Sequence, residues 1–246
     1  MRLNVVGCSP AWPNPGGAQS GYLLEGPGRL LMDCGPGVLA RLRSSTNGTR
    51  WPHVDAIAIT HFHLDHWGDL VPWVWGTMWG LGRDYAKPEL WLPPGGIEEL
   101  AAFGIRFGTP DMFSRVFEPK EYAEGEEFEA AGLRLVPTRL PHYTVQTYGF
   151  RVSNTTRTLA YSGDSGPSDR LEVDLCSTRG PGNRAPGGVM VQGGTAHSAL
   201  AFGCKNHPAL PGGADRAAAG GGPLGYSKAD RPVLHSLRLH ASGVAG

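Results

Sequence analysis

The sequence carries no surplus of either charge: Lys and Arg number 22, as do Asp and Glu, for a formal net charge of +0. That balance offers no electrostatic argument for a nucleic-acid surface or an anionic membrane, and only a local basic patch stays open. Cysteine is scarce. Cys8, Cys34, Cys176 and Cys204 form no Cys-x-x-Cys pair and nothing secretory accompanies them, so a reduced, cytoplasmic setting is the expectation. Residues 1–7 read as a strand and turn without an apolar secretory core. The most apolar stretch, residues 70–81, is too short to span a bilayer, and a soluble protein without membrane partners is expected. Neither a Gly-x-Gly-x-x-Gly nor a Walker-type loop is present to hold a nucleotide cofactor.

What is present is one dense cluster of ligand-type side chains. Thr60-His61-Phe62-His63-Leu64-Asp65-His66 follows the apolar run Ala56-Ile57-Ala58-Ile59. Imidazole and carboxylate are poor core formers but good ligands for a borderline cation, so a chance histidine cluster on a solvated loop is the weaker explanation. A strand-to-helix turn is expected here. On extended backbone His61 and His63 point the same way, while Asp65 and His66 lie on the turn beyond and can face a second metal. At 246 residues and 26.2 kDa the chain fits one large α/β domain able to bury its own core.

His-x-His-x-Asp-His after a short apolar strand resembles the signature of the metallo-β-lactamase-fold hydrolases. Val6-Gly7-Cys8-Ser9-Pro10, Ser20-Gly21-Tyr22-Leu23-Leu24 and Leu31-Met32-Asp33-Cys34-Gly35-Pro36-Gly37 are most similar to the small ribonuclease Z and phosphodiesterase-like branch. The resemblance runs from Met1 to about Cys176. It implies a four-layer αββα sandwich, incomplete or irregular at the C-terminus, and two zinc ions. It further implies His61, His63 and His142 on the first metal, Asp65 and His66 on the second, and Asp164 of Ser162-Gly163-Asp164 bridging the two. For His142 the bland alternative is a satisfied surface or core imidazole. Asp33 reads equally as a turn carboxylate before Gly35-Pro36-Gly37 or as a group steadying the metal loop, and the resemblance favours the latter.

The rest of the chain alternates strand and helix, as a layered α/β fold requires. Strands are expected at 3–6, 21–24, 30–34, 56–60, 89–92, 112–117, 133–138, 148–152 and from 159. Helices are expected from 38, after Trp67-Gly68-Asp69, and at 97–103. Trp75 and Trp79 are four apart and share a helical face, which argues for packing more than for a ligand platform. The acidic connection 118–129 reads as a solvated face.

The constellation implies hydrolysis by a water shared between the two cations, with Asp65 orienting it or taking its proton. A phosphodiester, in RNA or as a cyclic nucleotide or other small molecule, is the expected substrate. A lactone or thioester hydrolase of the same fold is the alternative, and so is a metal-binding protein with impaired catalysis. A second copy of the chain is a further candidate partner. Residues 1–176 thus form the expected metallohydrolase domain, and 177–246 an atypical tail. No Glu follows Glu172, Phe202 and Tyr226 are the tail's only aromatics, and Gly and Pro recur too often for long elements. The late Thr-His that the resembling family carries is missing after His61, and none of His197, His207, His235 and His240 replaces it convincingly. A natural disordered tail and a shift of reading frame near Leu175 both account for this.

Overall fold

The computed structural model describes residues 1–45, 47–166 and 168–170, together with three short strands farther on. Its first sheet has seven strands in the order β13-β1-β2-β3-β4-β5-β6. They are β1 (Arg2–Gly7), β2 (Gly21–Glu25), β3 (Arg29–Met32), β4 (Ala56–Ala58), β5 (Glu89–Leu92), β6 (Glu118–Glu121) and β13 (Ser236–Arg238). The second sheet has six, in the order β12-β11-β10-β9-β8-β7. These are β7 (Phe128–Ala130), β8 (Leu133–Leu140), β9 (Thr147–Ser153), β10 (Thr158–Tyr161), β11 (Gly188–Val191) and β12 (Ala201–Cys204).

Alternation along the first sheet's strands sorts its apolar residues between two cores. Leu24, Leu30, Met32 and Ala58 face the second sheet, where they meet Leu135, Phe150 and their neighbours. Leu23, Leu31, Ile57 and Leu90 face outward and are covered by α1 (Val38–Ser44), α3 (Leu70–Trp79) and α4 (Gly96–Ile105). Helix, sheet and sheet thus form three packed layers. The outer helical layer expected on the second sheet lies outside the described residues. Among the described residues no helix is long and apolar enough to cross a membrane.

Strand direction decides where function can sit. β1 and β3 both pair antiparallel with β2, and β3, β4 and β5 pair parallel, so β1, β3, β4 and β5 all end on one edge. In the second sheet β8 and β10 both pair antiparallel with β9 and likewise share a direction. The residues that follow β3, β4, β8 and β10 are Asp33, the histidine motif, His142 and Asp164.

One expected strand is corrected. Residues 112–117 form turns, not a strand. Met112, Phe113, Val116 and Phe117 are spaced as on a helical turn, Phe117 N–H donates to Phe113 O at 2.8 Å, and all four side chains enter the helix-side core. The strand comes just after, at β6 inside the acidic connection. It is an edge strand, where Pro119 deprives no inner neighbour of a hydrogen bond. On α3 Trp73 is buried, Trp75 is half-buried against the helix-side core, and Trp79, on the same face but 64% exposed, stacks on Trp75 at 4.9 Å. The tail's three strands join the sheets, β13 against β1 and β11 beside β10. Its remaining residues, and with them His197, His207, His235 and His240, lie outside the described residues.

Candidate metal centre

β4 delivers the motif as its alternation requires. His63 is extended at φ −73 and ψ 139 and begins α2 (Leu64–Trp67), whose first turn carries Asp65 and His66. The backbone is stitched to its neighbours: Cys34 N–H donates to His66 O at 2.6 Å, Ser20 N–H to Asp65 O at 3.1 Å, and Tyr148 N–H to Thr60 O at 3.1 Å. From the second sheet come His142, just past β8, and Asp164, just past β10. Their segments are joined by the Gly166 N–H bond to Pro141 O at 2.7 Å. Gly163 takes φ 56, where a side chain is disfavoured, and a Cβ there would stand 2.9 Å from Thr60 Cγ2.

All six sequence-designated residues meet in one place. Nε2 of His61 lies 3.1 Å from Nδ1 of His63, which lies 3.0 Å from Nε2 of His142. His61, His66 and Asp164 form a second convergent group. The two carboxylate oxygens of Asp164 look toward the two groups, Oδ1 at 3.4 Å from His66 Nε2 and Oδ2 at 3.7 Å from His142 Nε2. Asp65 stands slightly apart, with Oδ2 at 3.6 Å from His66 Nε2, and belongs to neither group of closest donors.

Asp33 is the keystone that spacing only half revealed. It is fully buried and adopts φ 58, and its carboxylate gathers three neighbours. Oδ1 accepts Thr60 N–H at 2.8 Å, and Oδ2 accepts His66 Nδ1–H at 2.7 Å and the Tyr161 hydroxyl at 2.5 Å. The turn-carboxylate reading is thereby replaced by one in which Asp33 orients the motif. Because a carboxylate only accepts, the Thr60 hydroxyl proton goes to Asp33, and Thr60 Oγ1 accepts Nδ1–H of His61 at 2.9 Å. Both His61 and His66 are therefore held with Nε2 facing the cluster. Thr60, Tyr161 and Ser20, whose Oγ is 3.5 Å from His66 Nε2, were not singled out from the sequence. Their signal was only adjacency to the motif residues.

The electrostatics ask for a cation. Burial, then the neighbouring His66, His63 and His142, push the His61 pKa far down, so its ring is neutral and free to ligate. His142 is lowered as well, by burial first, with Asp164 opposing. For His66, burial disfavours the charged form, but Asp33 and Asp164 outweigh it and push its pKa up to about 10. Burial and then Asp33 raise the Tyr161 phenol, which keeps it a donor. Asp33, Asp65 and Asp164 are buried, and their ion-pair partners among the described residues are histidines alone. Among the described residues Asp164 Oδ1 accepts no hydrogen bond, and its ion-pair contact is His66 Nε2 at 3.4 Å. Buried carboxylates facing converging imidazole nitrogens are costly unless positive charge completes them, either a proton on His66 or a cation that displaces it. The nitrogen spacing also fits, since ligands ~2.0–2.1 Å from a tetrahedral zinc lie ~3.3 Å apart.

Residues 28–176, more than half of the chain, match the sequence profile of the beta-lactamase superfamily domain. The chain belongs to that superfamily. An uncharacterized protein of Mycobacterium leprae is 31% identical over 180 residues, covering 70% of this chain and 60% of that protein. Ribonuclease Z of Salinibacter ruber is 34% identical over 167 residues, covering 64% of this chain and 49% of the relative. The chain thus spans 60% and 49% of the lengths of these two relatives. Among solved structures, the metallo-beta-lactamase fold protein YhfI from Bacillus subtilis superposes with a TM-score of 0.57 at 23% identity, over 69% of this chain and 65% of that one. The fold expectation is met, and two groups of donors among the described residues, His61, His63 and His142, and His61, His66 and Asp164, could each hold a metal ion. The profile match ends at residue 176, where the composition changes.

Proposed function

We propose that this chain hydrolyses phosphodiesters with two divalent cations, zinc being the ion its donors suit best. The observation that carries the reading is Asp164, a buried carboxylate with one oxygen toward each group of donors, Oδ1 accepting no hydrogen bond among the described residues. His61, His63 and His142 would hold one cation, Asp65 and His66 the other, and Asp164 would serve both. When bound, two such cations lower the pKa of water toward neutrality and offset charge building on the attacked group. The protein's own part is orientation. Asp33 and Thr60 fix the imidazoles, and Asp65, outside the tightest groups but near His66, is placed to align a water and accept its proton. The low-dielectric wall formed by both sheets strengthens each of these interactions.

The phosphodiester preference rests on kinship with ribonuclease Z and on the flanking motifs, with RNA or a cyclic nucleotide as the substrate. The test pairs metal analysis with a substrate panel: bis-p-nitrophenyl phosphate, cyclic nucleotides, a tRNA precursor, a lactone and a thioester. Two zinc equivalents per chain and turnover of a diester are expected. Turnover of the lactone or thioester alone would overturn the substrate, and one zinc equivalent or none the two-cation centre.

A further inference from the structure

Tyr143 is a tyrosine that folding does not ask for. It follows His142 directly, its φ is 47, and 91% of its surface is exposed. A non-glycine residue in the left-handed region is strained, and Gly or Asn would occupy the position more comfortably. An aromatic side chain recovers such a cost by burial, and this one buries almost nothing. Of the four described non-glycine residues with positive φ, Asp33 is held by the hydrogen bonds of the metal loop and Ala131 by the turn between β7 and β8. Asn47 is a residue type that tolerates the conformation. Only Tyr143 combines a strained backbone with a large exposed ring.

Its position gives that ring a use. The Tyr143 ring lies 4.8 Å from the His142 ring at 57°, and His142 presents Nε2 to the donor cluster. The turn is braced by Val145 N–H to His142 O at 3.1 Å and by Gly166 N–H to Pro141 O at 2.7 Å. A flat apolar face is therefore held one residue from the centre, exposed to whatever docks there. Base–aromatic stacking suits such a face because every nucleobase has a π surface.

We infer that Tyr143 is the substrate-contacting platform on which the base of a nucleotide substrate stacks while its phosphate sits at the donor cluster. This rests on the phosphodiester reading and narrows it to diesters carrying a nucleobase. It assigns specificity to a residue outside the ligand set.

The test uses the zinc-loaded protein and two probes, adenosine monophosphate and glycerol phosphate, with binding followed by equilibrium dialysis. Wild type should hold adenosine monophosphate more tightly than glycerol phosphate. Tyr143→Ala should weaken adenosine monophosphate about tenfold and leave glycerol phosphate unchanged, while Tyr143→Phe keeps wild-type affinity. In kinetics, Tyr143→Ala should raise KM for a cyclic nucleotide with little change in kcat, and leave both constants for glycerophosphoethanolamine unaltered. Equal weakening of both probes, or no change in either, overturns the platform. So does a wild type that does not distinguish the two probes. If neither diester is turned over, the phosphodiester reading fails separately, and the dialysis result still decides the role of Tyr143.

Discussion

Replacing Asp33 by Asn isolates what holds the metal loop in place. Asn tolerates the left-handed φ of 58 as well as Asp does, so the backbone adds no separate cost. The carboxylate satisfies Thr60 N–H through Oδ1, and His66 Nδ1–H and the Tyr161 hydroxyl through Oδ2. An amide offers one oxygen. If that oxygen keeps His66 and Tyr161, the amide NH2 confronts the buried Thr60 N–H, and a buried donor without a partner costs about 1–3 kcal/mol. At a urea slope of roughly 2 kcal/mol/M, a loss near 2 kcal/mol moves the unfolding midpoint of the metal-free protein by about 1 M. The second effect is on the metal. A neutral acceptor replaces a charged one behind His66, and losing such a partner weakens metal affinity by roughly ten- to a hundredfold. Urea unfolding in chelator reads the first effect, and zinc competition against a chromophoric chelator reads the second. An Asp33→Asn protein with an unshifted midpoint and unshifted zinc affinity would refute the role given to Asp33.

Asp164→Ala should lower zinc loading and diester turnover together, and full zinc with full rate would show that Asp164 serves neither cation. Gly35→Ala should disturb the same loop from outside, because a Cβ there would stand 1.9 Å from Asp65 O. A loss of about 1–3 kcal/mol is expected by urea unfolding, together with weaker zinc binding by competition. Trp73→Ala, which empties a buried site, should cost about 3–5 kcal/mol, whereas Trp75→Ala should cost far less and leave kcat unchanged in the folded fraction. Finally, the coding DNA tests the tail. If its composition reflects a shifted frame, an alternative frame beyond codon 175 yields alternating apolar strands and a late Thr-His, and a DNA offering neither establishes the tail as genuine.

The parts of the fold legible in the sequence were those whose chemistry repeats at short range. The His61 to His66 motif declared itself because four ligand-type residues in six positions have no packing explanation. β2, β3 and β5 declared themselves through apolar runs between turn residues. Residues 112–117 misled because a run rich in Met, Phe and Val satisfies strand composition while its spacing is that of a helical turn. The shared face of Trp75 and Trp79 was legible, but not how far the protein covers each ring, since Trp75 packs on the core and Trp79 is exposed. The Asp33 network was half legible. The carboxylate was visible, but its partners Thr60 and Tyr161 come from separate strands, and a hydroxyl bonded across 128 positions leaves no mark in local sequence.

Because the donors come from both sheets, any metal uptake during synthesis would be ordered in time as well as in space. His63 and His142 are 79 positions apart, so a ribosome adding roughly 5–20 residues per second separates their emergence by several seconds. During that interval the nascent chain offers only the histidine motif, without the imidazole and carboxylate that complete either group. A correctly filled centre would therefore record that both halves have been made and have docked. Any cation acquired earlier would sit on an unfinished ligand set, from which a chelator could remove it.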